Sequence, residues 1–187
     1  VHNISVDLIF GLSQLADDVW EDTIERALEL APEHISAYQL SIEEGSALAK
    51  LVADGRYVEA SDEQCRHQYD VLCQTLRQAG YHHYEISNFA KPGRESRHNL
   101  KYWSMEEYAG FGPGAHSDFG GVRYGYVRDI DSYIAGKLVL SESENDSTLA
   151  RDYEYVMLSL RTAAGIDRRT FENRYCQRFE PMEELFL

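Results

Sequence analysis

The first ninety residues alternate between two hydrophobic patterns. Apolar side chains at every second position predict strands over 3–10, 35–42 and 81–87. Apolar side chains at helical spacing predict helices over 17–31 and 61–79. Strands that alternate with helices form βαβ units, whose strands run parallel and whose crossovers are right-handed. We therefore expect one mostly parallel sheet of an α/β barrel or open sheet, with the helices packed outside it.

The second half of the chain follows a different pattern. Residues 88–128 are rich in glycine, aromatic residues and histidine, and the polar stretch 141–148 predicts a linker. Helical spacing returns over 148–163, where the predicted buried face contains Leu149, Tyr153, Val156, Met157 and Leu160, and a further helical segment starts at Asp167. We expect a domain boundary in the linker.

This boundary predicts two domains. Residues 1–140 form the first, and residues 148–187 begin a small, mainly helical second one. A length of 187 residues agrees with one domain and a small appendage.

Charge and composition exclude several classes of protein. The chain has 32 acidic and 18 basic residues and a net charge of −14, which disfavours nucleic acids and anionic membrane surfaces as partners. An acidic surface instead suits a protein partner with a basic patch. No apolar run approaches the ~18 residues of a membrane span. No basic-then-apolar leader opens the chain, so the sequence predicts a cytoplasmic protein.

The cysteines and two polar segments are weaker candidates for ligand binding. Cys65, Cys73 and Cys176 lack the spacing of a zinc or redox site, so we expect buried thiols. His83 and Glu85 alternate along the third strand and could form half of a metal site. The glycine-rich segment 110–117 could bind an anion through backbone N–H groups, or it could simply allow tight turns.

Two places are stronger candidates. Asp7 lies on the less apolar face of the first strand, where its carboxylate could hold a ligand hydroxyl or ammonium, or could pair with a neighbouring arginine or backbone donor. His98 lies in a predicted loop, four and five residues before Tyr102 and Trp103. A neutral imidazole can bind heme iron and aromatic rings can pack a porphyrin, but a capping histidine above buried rings is the alternative.

Several segments together resemble a known family. The strings NISVDLIFGL, AGYHHYEISNFAKPGRESRHNLKYW and GFGPGAHS, which occur in order within residues 3–165, resemble the oxygen-independent coproporphyrinogen III oxidase-like family of radical SAM proteins. The resemblance implies the later part of a partial (β/α) TIM-like barrel, followed by the start of a small helical C-terminal domain. It also implies S-adenosylmethionine and a [4Fe–4S] cluster, but the family's CxxxCxxC loop is absent from these residues. We therefore expect the cluster-binding part to lie outside this segment and the strand 3–10 to lie at a sheet edge.

Two differences within the family favour its heme chaperone branch. The oxidases have a methionine-aspartate-histidine string where this chain has Ile86-Ser87-Asn88. The chain has instead the HNxxYW string of the chaperones, formed by His98, Asn99, Tyr102 and Trp103, and the resemblance implies that this string binds heme and that His98 binds its iron.

The same resemblance bears on the cofactor and on the activity. It matches Asp7 to an aspartate that contacts S-adenosylmethionine in the oxidases, although the family's GLPGQT continues here as GLSQLA. The expected function is heme binding and delivery to heme-accepting proteins. The alternatives are an oxygen-independent coproporphyrinogen III oxidase and a scaffold whose chemistry lies elsewhere in the polypeptide.

Overall fold

A computed structural model describes residues 3–145 and 150–179, which belong to two compact units, Val1–Ser96 and Arg97–Leu187. The division at Ser96 differs from the boundary expected at 141–148. The assignment of 1–140 to a radical SAM barrel and of 148–187 to a C-terminal domain stays a prediction. Within the described ranges, no helix is long and apolar enough to cross a membrane.

The first unit is a four-stranded sheet with two of its helices packed on one face. Its sheet order is β1-β2-β4-β3. The elements are β1 (Ser5–Phe10), α1 (Asp17–Glu29), β2 (His34–Gln39), α2 (Ala47–Ala53), α3 (Asp62–Gln78), β3 (His82–Glu85) and β4 (Asn88–Ala90). The three predicted strands and both predicted helices are confirmed, and β1 lies at an edge of the described sheet as expected.

The sheet is less parallel than expected. β1 and β2 pair in parallel, but the unpredicted strand β4 pairs antiparallel with both β2 and β3. Only the two residues 86 and 87 join β3 to β4, which is far too short for a parallel crossover, so the chain reverses there. β3 consequently runs in the same direction as β2 without pairing with it.

One hydrophobic core forms between the sheet and the helices α1 and α3. Trp20 and Ile24 of α1 are 1% exposed, and the Trp20 indole N–H donates to the Gln68 carbonyl at 2.9 Å. The core also contains Phe10, Ile35, Ala37, Leu72, Leu76, Tyr81 and Phe89. Because Val6, Leu8 and Phe10 alternate with Ser5, Asp7 and Ile9, β1 turns its apolar face to this core and its polar face away from it.

The second unit combines a three-stranded antiparallel sheet with short helices. Its sheet order is β5-β6-β7. The elements are α4 (Arg97–Trp103), β5 (His116–Phe119), β6 (Val122–Tyr126), α5 (Ile130–Ile134), β7 (Leu140–Asn145), α6 (Arg151–Ser159) and α7 (Arg168–Tyr175). The helical segment expected to start at Asp167 is confirmed, with Asp167 as the N-cap.

Two expectations for the second unit are wrong. Residues 141–145 of the expected linker belong to β7, whose pairing with β6 uses backbone groups and needs no apolar side chain. Positions 146–148 of that linker lie outside the described residues. Helix α6 buries Tyr155, Val156 and Ser159, whereas Tyr153, Met157 and Leu160 of the expected buried face are more than half exposed.

An ionic network explains the packing of α6. Asp118 of β5 accepts two hydrogen bonds from Arg151 of α6, at 2.6 and 2.7 Å, and two from Arg123 of β6, at 2.9 and 3.3 Å. Arg123 also contacts Glu154 of α6 at 2.8 Å. These pairs fasten α6 to the sheet β5-β6, which places the predicted second domain's first helix in the same unit as residues 97–145.

Candidate functional site

The face of the first unit's sheet opposite the helices carries a row of polar side chains. Register places Asp7 beside Ser36, Ser36 beside Asn88, and Asn88 beside Glu85, so one residue from each strand joins the row. Asp7 is exposed, and no hydrogen bond or salt bridge joins it to a described residue. The alternative in which Asp7 pairs with an arginine or backbone donor is therefore wrong within the described part of the chain.

A neutral hydrogen-bond network lies next to this row. His34 Nδ1 lies 2.9 Å from Ser5 Oγ, and His34 Nε2 lies 2.7 Å from the Tyr84 hydroxyl. Because the Tyr84 hydroxyl accepts a hydrogen bond from the Ser96 N–H at 3.2 Å, its own proton is available for His34 Nε2. Burial lowers the pKa of His34, against the opposing effects of Asp7 and Glu85, and burial raises the pKa of Tyr84 to about 12. His34 is therefore held neutral near pH 7.

Two buried acceptor atoms on this face have no donor. Glu85 and Asn88 are each 2% exposed, and Glu85 Oε1 accepts from the Ser87 N–H and from the Asn88 side-chain amide. Glu85 Oε2 and Asn88 Oδ1 remain without a partner. Together with the Asp7 carboxylate they favour a ligand that donates hydrogen bonds, as an ammonium, amino or ribose hydroxyl group does. These residues therefore fit S-adenosylmethionine, the cofactor that the family implies.

The HNxxYW residues lie on a helix, so the expected loop at His98 is wrong. His98, Asn99, Tyr102 and Trp103 all belong to α4. No glycine or proline occurs between Arg94 and Ala109, so nothing in the sequence interrupts helix formation after the turn at Pro92 and Gly93. Helical spacing of four residues then brings Tyr102 onto His98, with Tyr102 Oη 3.2 Å from His98 Nε2 and the ring centroids 5.1 Å apart.

The two aromatic residues of the motif have different surroundings. Tyr102 lies between His98 and Tyr108, whose ring centroid is 4.7 Å away, and a cavity of about 280 Å³ lined by Tyr102, Met105, Tyr108 and His116 adjoins it. Trp103 is covered by the guanidinium of Arg161, 4.6 Å from the indole centroid. The exposed imidazole of His98 fits an iron ligand. Packing of a porphyrin against Tyr102 and Trp103 stays a prediction.

The predicted site residues belong to two different compact units. Asp7 belongs to the first unit, whereas His98, Asn99, Tyr102 and Trp103 belong to the second. His34, Tyr84 and Arg161 were not predicted as site residues. The alternation of His34 with Ser36 along the second strand indicates a polar face and could have identified His34. Arg161 contacts Trp103 only through tertiary packing, which no local pattern predicts.

The weaker candidates have structural explanations. A β-bulge separates His83, which stacks on Phe89, from Glu85, so the two do not form a metal pair. No group of three potential metal ligands occurs among residues 3–145 and 150–179. In the glycine-rich segment, a Cβ at Gly110 would lie 2.2 Å from the His116 carbonyl oxygen, so close backbone packing accounts for this glycine.

The cysteines do not fit an iron–sulfur cluster. Cys65 is buried and Cys73 is half-buried, both on α3, while Cys176 is exposed in the other unit. Burial raises the pKa of the Cys65 and Cys73 thiols, which disfavours the thiolate that iron requires. The expectation of buried thiols is confirmed for Cys65 and wrong for Cys176.

Comparison with known proteins identifies relatives along almost the whole chain. The chain is 40% identical over 177 residues to "Heme chaperone HemW" of Bacillus subtilis, covering 92% of the chain and 47% of that protein. It is 40% identical over 116 residues to "Radical S-adenosyl methionine domain-containing protein 1, mitochondrial" of Danio rerio, covering 62% of the chain and 26% of that protein. The chain thus spans about half the length of the curated HemW relatives that it matches. No protein-family model matches it.

A solved structure has the same fold. The radical SAM enzyme coproporphyrinogen III oxidase (HemN) of Escherichia coli matches with a TM-score of 0.72 over 95% of this chain and 44% of that one, at 18% identity. The expected fold class is thereby confirmed. By fold and by sequence, the chain belongs to the coproporphyrinogen III oxidase-like family of radical SAM proteins, in the branch of the heme chaperone HemW.

Proposed function

We propose that this chain is part of a heme chaperone, which binds heme through His98 and delivers it to heme-accepting proteins. The observation that carries the proposal is the 40% identity, over 92% of the chain, to a protein named heme chaperone. The exposed imidazole on α4 supports it, because a neutral, accessible imidazole is a good iron ligand. The acidic net charge of −14 favours acceptor proteins with a basic surface, and the proposed location is the cytoplasm.

The cofactors of the family have separate places in this proposal. The polar row with Asp7 would hold S-adenosylmethionine, which supplies radical chemistry when a reduced [4Fe–4S] cluster is present. The cluster is expected to be held by residues outside the chain. Heme is the cargo, and Asn99, Tyr102 and Trp103 would position it next to His98.

Replacement of His98 tests the proposal. A His98→Ala variant should keep its circular dichroism spectrum, shift the Soret band of bound heme and bind heme at least tenfold more weakly. His67→Ala, which removes an exposed histidine of the first unit, is the matched control and should change neither. Unchanged heme binding by His98→Ala would show that the ligand assignment is wrong.

Tyr102 provides a finer test of the ligating nitrogen. Its hydroxyl lies 3.2 Å from His98 Nε2, so iron binding at Nε2 has to replace this contact. Tyr102→Phe keeps the ring and should strengthen heme binding about fivefold, the equivalent of one hydrogen bond of ~1 kcal/mol. Weaker binding in a heme titration would instead assign the hydroxyl a role in holding the ring for iron.

The fold shared with HemN makes oxidative decarboxylation of coproporphyrinogen III a second candidate. Ser87 and Asn88 stand where the oxidases have an acid and an imidazole, and both side chains differ in chemistry from those groups. Anaerobic incubation of the full-length protein with coproporphyrinogen III and S-adenosylmethionine distinguishes the two functions. Formation of a decarboxylated product would favour the oxidase.

A further inference from the structure

Three residues of the second unit form one row across its sheet. Register places His116 of β5 beside Gly125 of β6, and Gly125 beside Glu142 of β7. The two outer strands of a three-stranded sheet lie about 9–10 Å apart, yet His116 Nδ1 lies 2.9 Å from Glu142 Oε1. The imidazole therefore reaches across the middle strand to the carboxylate.

The glycine in the middle of the row leaves room for this imidazole. A Cβ at Gly125 would lie 2.9 Å from His116 Nδ1 and Cε1. The φ angle of Gly125 is not in the left-handed region, so its backbone alone does not require glycine. Because an ion pair as exposed as that of His116 with Glu142 contributes little to stability, the row points to a role for the imidazole itself.

The row leaves the other imidazole nitrogen free. When His116 is neutral and its Nδ1–H donates to Glu142, Nε2 carries the lone pair, and no described residue donates a hydrogen bond to it. Histidines that bind metals generally donate their second nitrogen to a carboxylate or carbonyl, which fixes the tautomer and strengthens the ligand. The other histidine of the unit, His98, instead has its Nε2 3.2 Å from the Tyr102 hydroxyl. His116 is thus the better prepared of the two for binding a metal.

One cavity connects His116 with the residues proposed to bind heme. This cavity of about 280 Å³ is lined by both Tyr102 and His116, and Tyr102 contacts His98. Asp118, two residues along β5 and therefore on the same sheet face as His116, also lines it. The His116 side chain is 51% exposed, so a ligand can reach it from this side of the sheet.

We propose that His116 Nε2 binds heme iron in addition to His98, with Glu142 orienting the His116 ring. The inference rests on the proposed heme binding. Ferric heme with two imidazole ligands is six-coordinate and low-spin, whereas a single imidazole leaves it high-spin. The carboxylate of Glu142 attracts the Nδ1 proton, which makes Nε2 a stronger donor and stabilises ferric over ferrous iron.

Electron paramagnetic resonance of ferric heme bound to the full-length protein tests the second ligand. The wild type should be low-spin, whereas His116→Ala should be high-spin and bind heme about tenfold more weakly. Gly125→Ala, which moves the imidazole away from Glu142, should cause the same change to a smaller degree. Glu142→Gln should stay low-spin and raise the reduction potential of the heme. The control Glu144→Gln, in the next register row of β7, should change neither.

The outcomes separate this inference from the proposed function. An unchanged spin state and affinity in His116→Ala would overturn the inference, and a loss of thermal stability with an unchanged spin state would show that the row only fastens β5 to β7. If His98→Ala leaves the heme spectrum unchanged while His116→Ala abolishes iron binding, the ligand role of His98 fails and that of His116 stands. The reverse pattern would refute His116 and retain His98.

A measurement without heme tests the orientation of the ring. Long-range proton–nitrogen NMR spectra of protein labelled at its histidine nitrogens report the tautomer of His116, whose signals are identified by their loss in His116→Ala. At a pH where the ring is neutral, the wild type should show the Nδ1–H form, and Glu142→Ala should shift it toward the Nε2–H form. An Nε2–H form in the wild type would place a proton where iron has to bind and would contradict the proposal.

Discussion

The two units bury their polar groups in different ways. In the first unit, an uncharged network of Ser5, His34 and Tyr84 lies on one sheet face while a large apolar core fills the other. In the second unit, a charged network around Asp118 joins sheet to helix, beside a small core of Tyr155, Val156, Phe171 and Phe179. We therefore expect the stability of the first unit to depend mainly on its apolar core, whereas removing one partner of the ion pairs between distant segments should be costly in the second unit.

This difference can be measured because each unit contains one of the two tryptophans. Trp20 reports on the first unit and Trp103 on the second. Emission from single-tryptophan variants therefore follows the unfolding of each unit separately.

The largest effect is expected from the core of the first unit. Trp20→Ala removes a 1% exposed indole and its hydrogen bond to the Gln68 carbonyl. The free energy of unfolding of the first unit should fall by about 3–5 kcal/mol in urea titrations followed by circular dichroism. The urea midpoint followed by Trp103 emission should stay at its wild-type value. A matching shift of that midpoint would show that the two units unfold together.

The second unit should respond to loss of one charge. Asp118→Asn removes the carboxylate that Arg151 and Arg123 contact, and the free energy of unfolding followed by Trp103 should fall by about 3 kcal/mol. Asp22→Ala is the control, because it breaks an exposed pair with Arg26 at 3.7 Å and should cost less than about 0.5 kcal/mol. Equal small effects of the two variants would contradict the role assigned to the ionic network.

Acid should affect the units in different pH ranges. Burial lowers the pKa of His34 below 6.5, so its contribution to stability is complete above pH 6.5 and is lost as the pH falls through the lower folded-state pKa. Hydrogen bonds from Arg151 and Arg123 lower the pKa of Asp118 below 3.8, so its contribution is lost only at more acidic pH. Urea titrations at pH 7.5, 5.5 and 3.5 should show that the unfolding midpoint followed by Trp20 emission falls first as the pH is lowered. His34→Gln should reduce this fall in the midpoint. If the midpoint followed by Trp103 emission falls at a higher pH than the one followed by Trp20 emission, the second unit is the more acid-sensitive one and the prediction is wrong.

The predictability of the structure from sequence follows the same division. The helices α1 and α3 and the strands β1 to β3 were predictable, because burial against one core imposes a regular hydrophobic period on each element. Strand β7 was not, since all its side chains are exposed and its position depends on backbone pairing with β6. The buried face of α6 also differs from the predicted one, because Arg151 and Glu154 attach the helix to β5 and β6 through charges that a hydrophobic pattern does not record.

By itself, the sequence determined the βαβ order, the polar side of β1 with Asp7, and the HNxxYW string that indicated the family. Each of these is local, since alternation, capping and motif spacing involve residues within a few positions of each other. Only the tertiary structure decided that β4 separates β2 from β3, that His98 lies on a helix with Tyr102, and that Arg161 covers Trp103. Arg161 lies 58 positions from its aromatic partner, and packing between helices, not any local pattern, sets that contact.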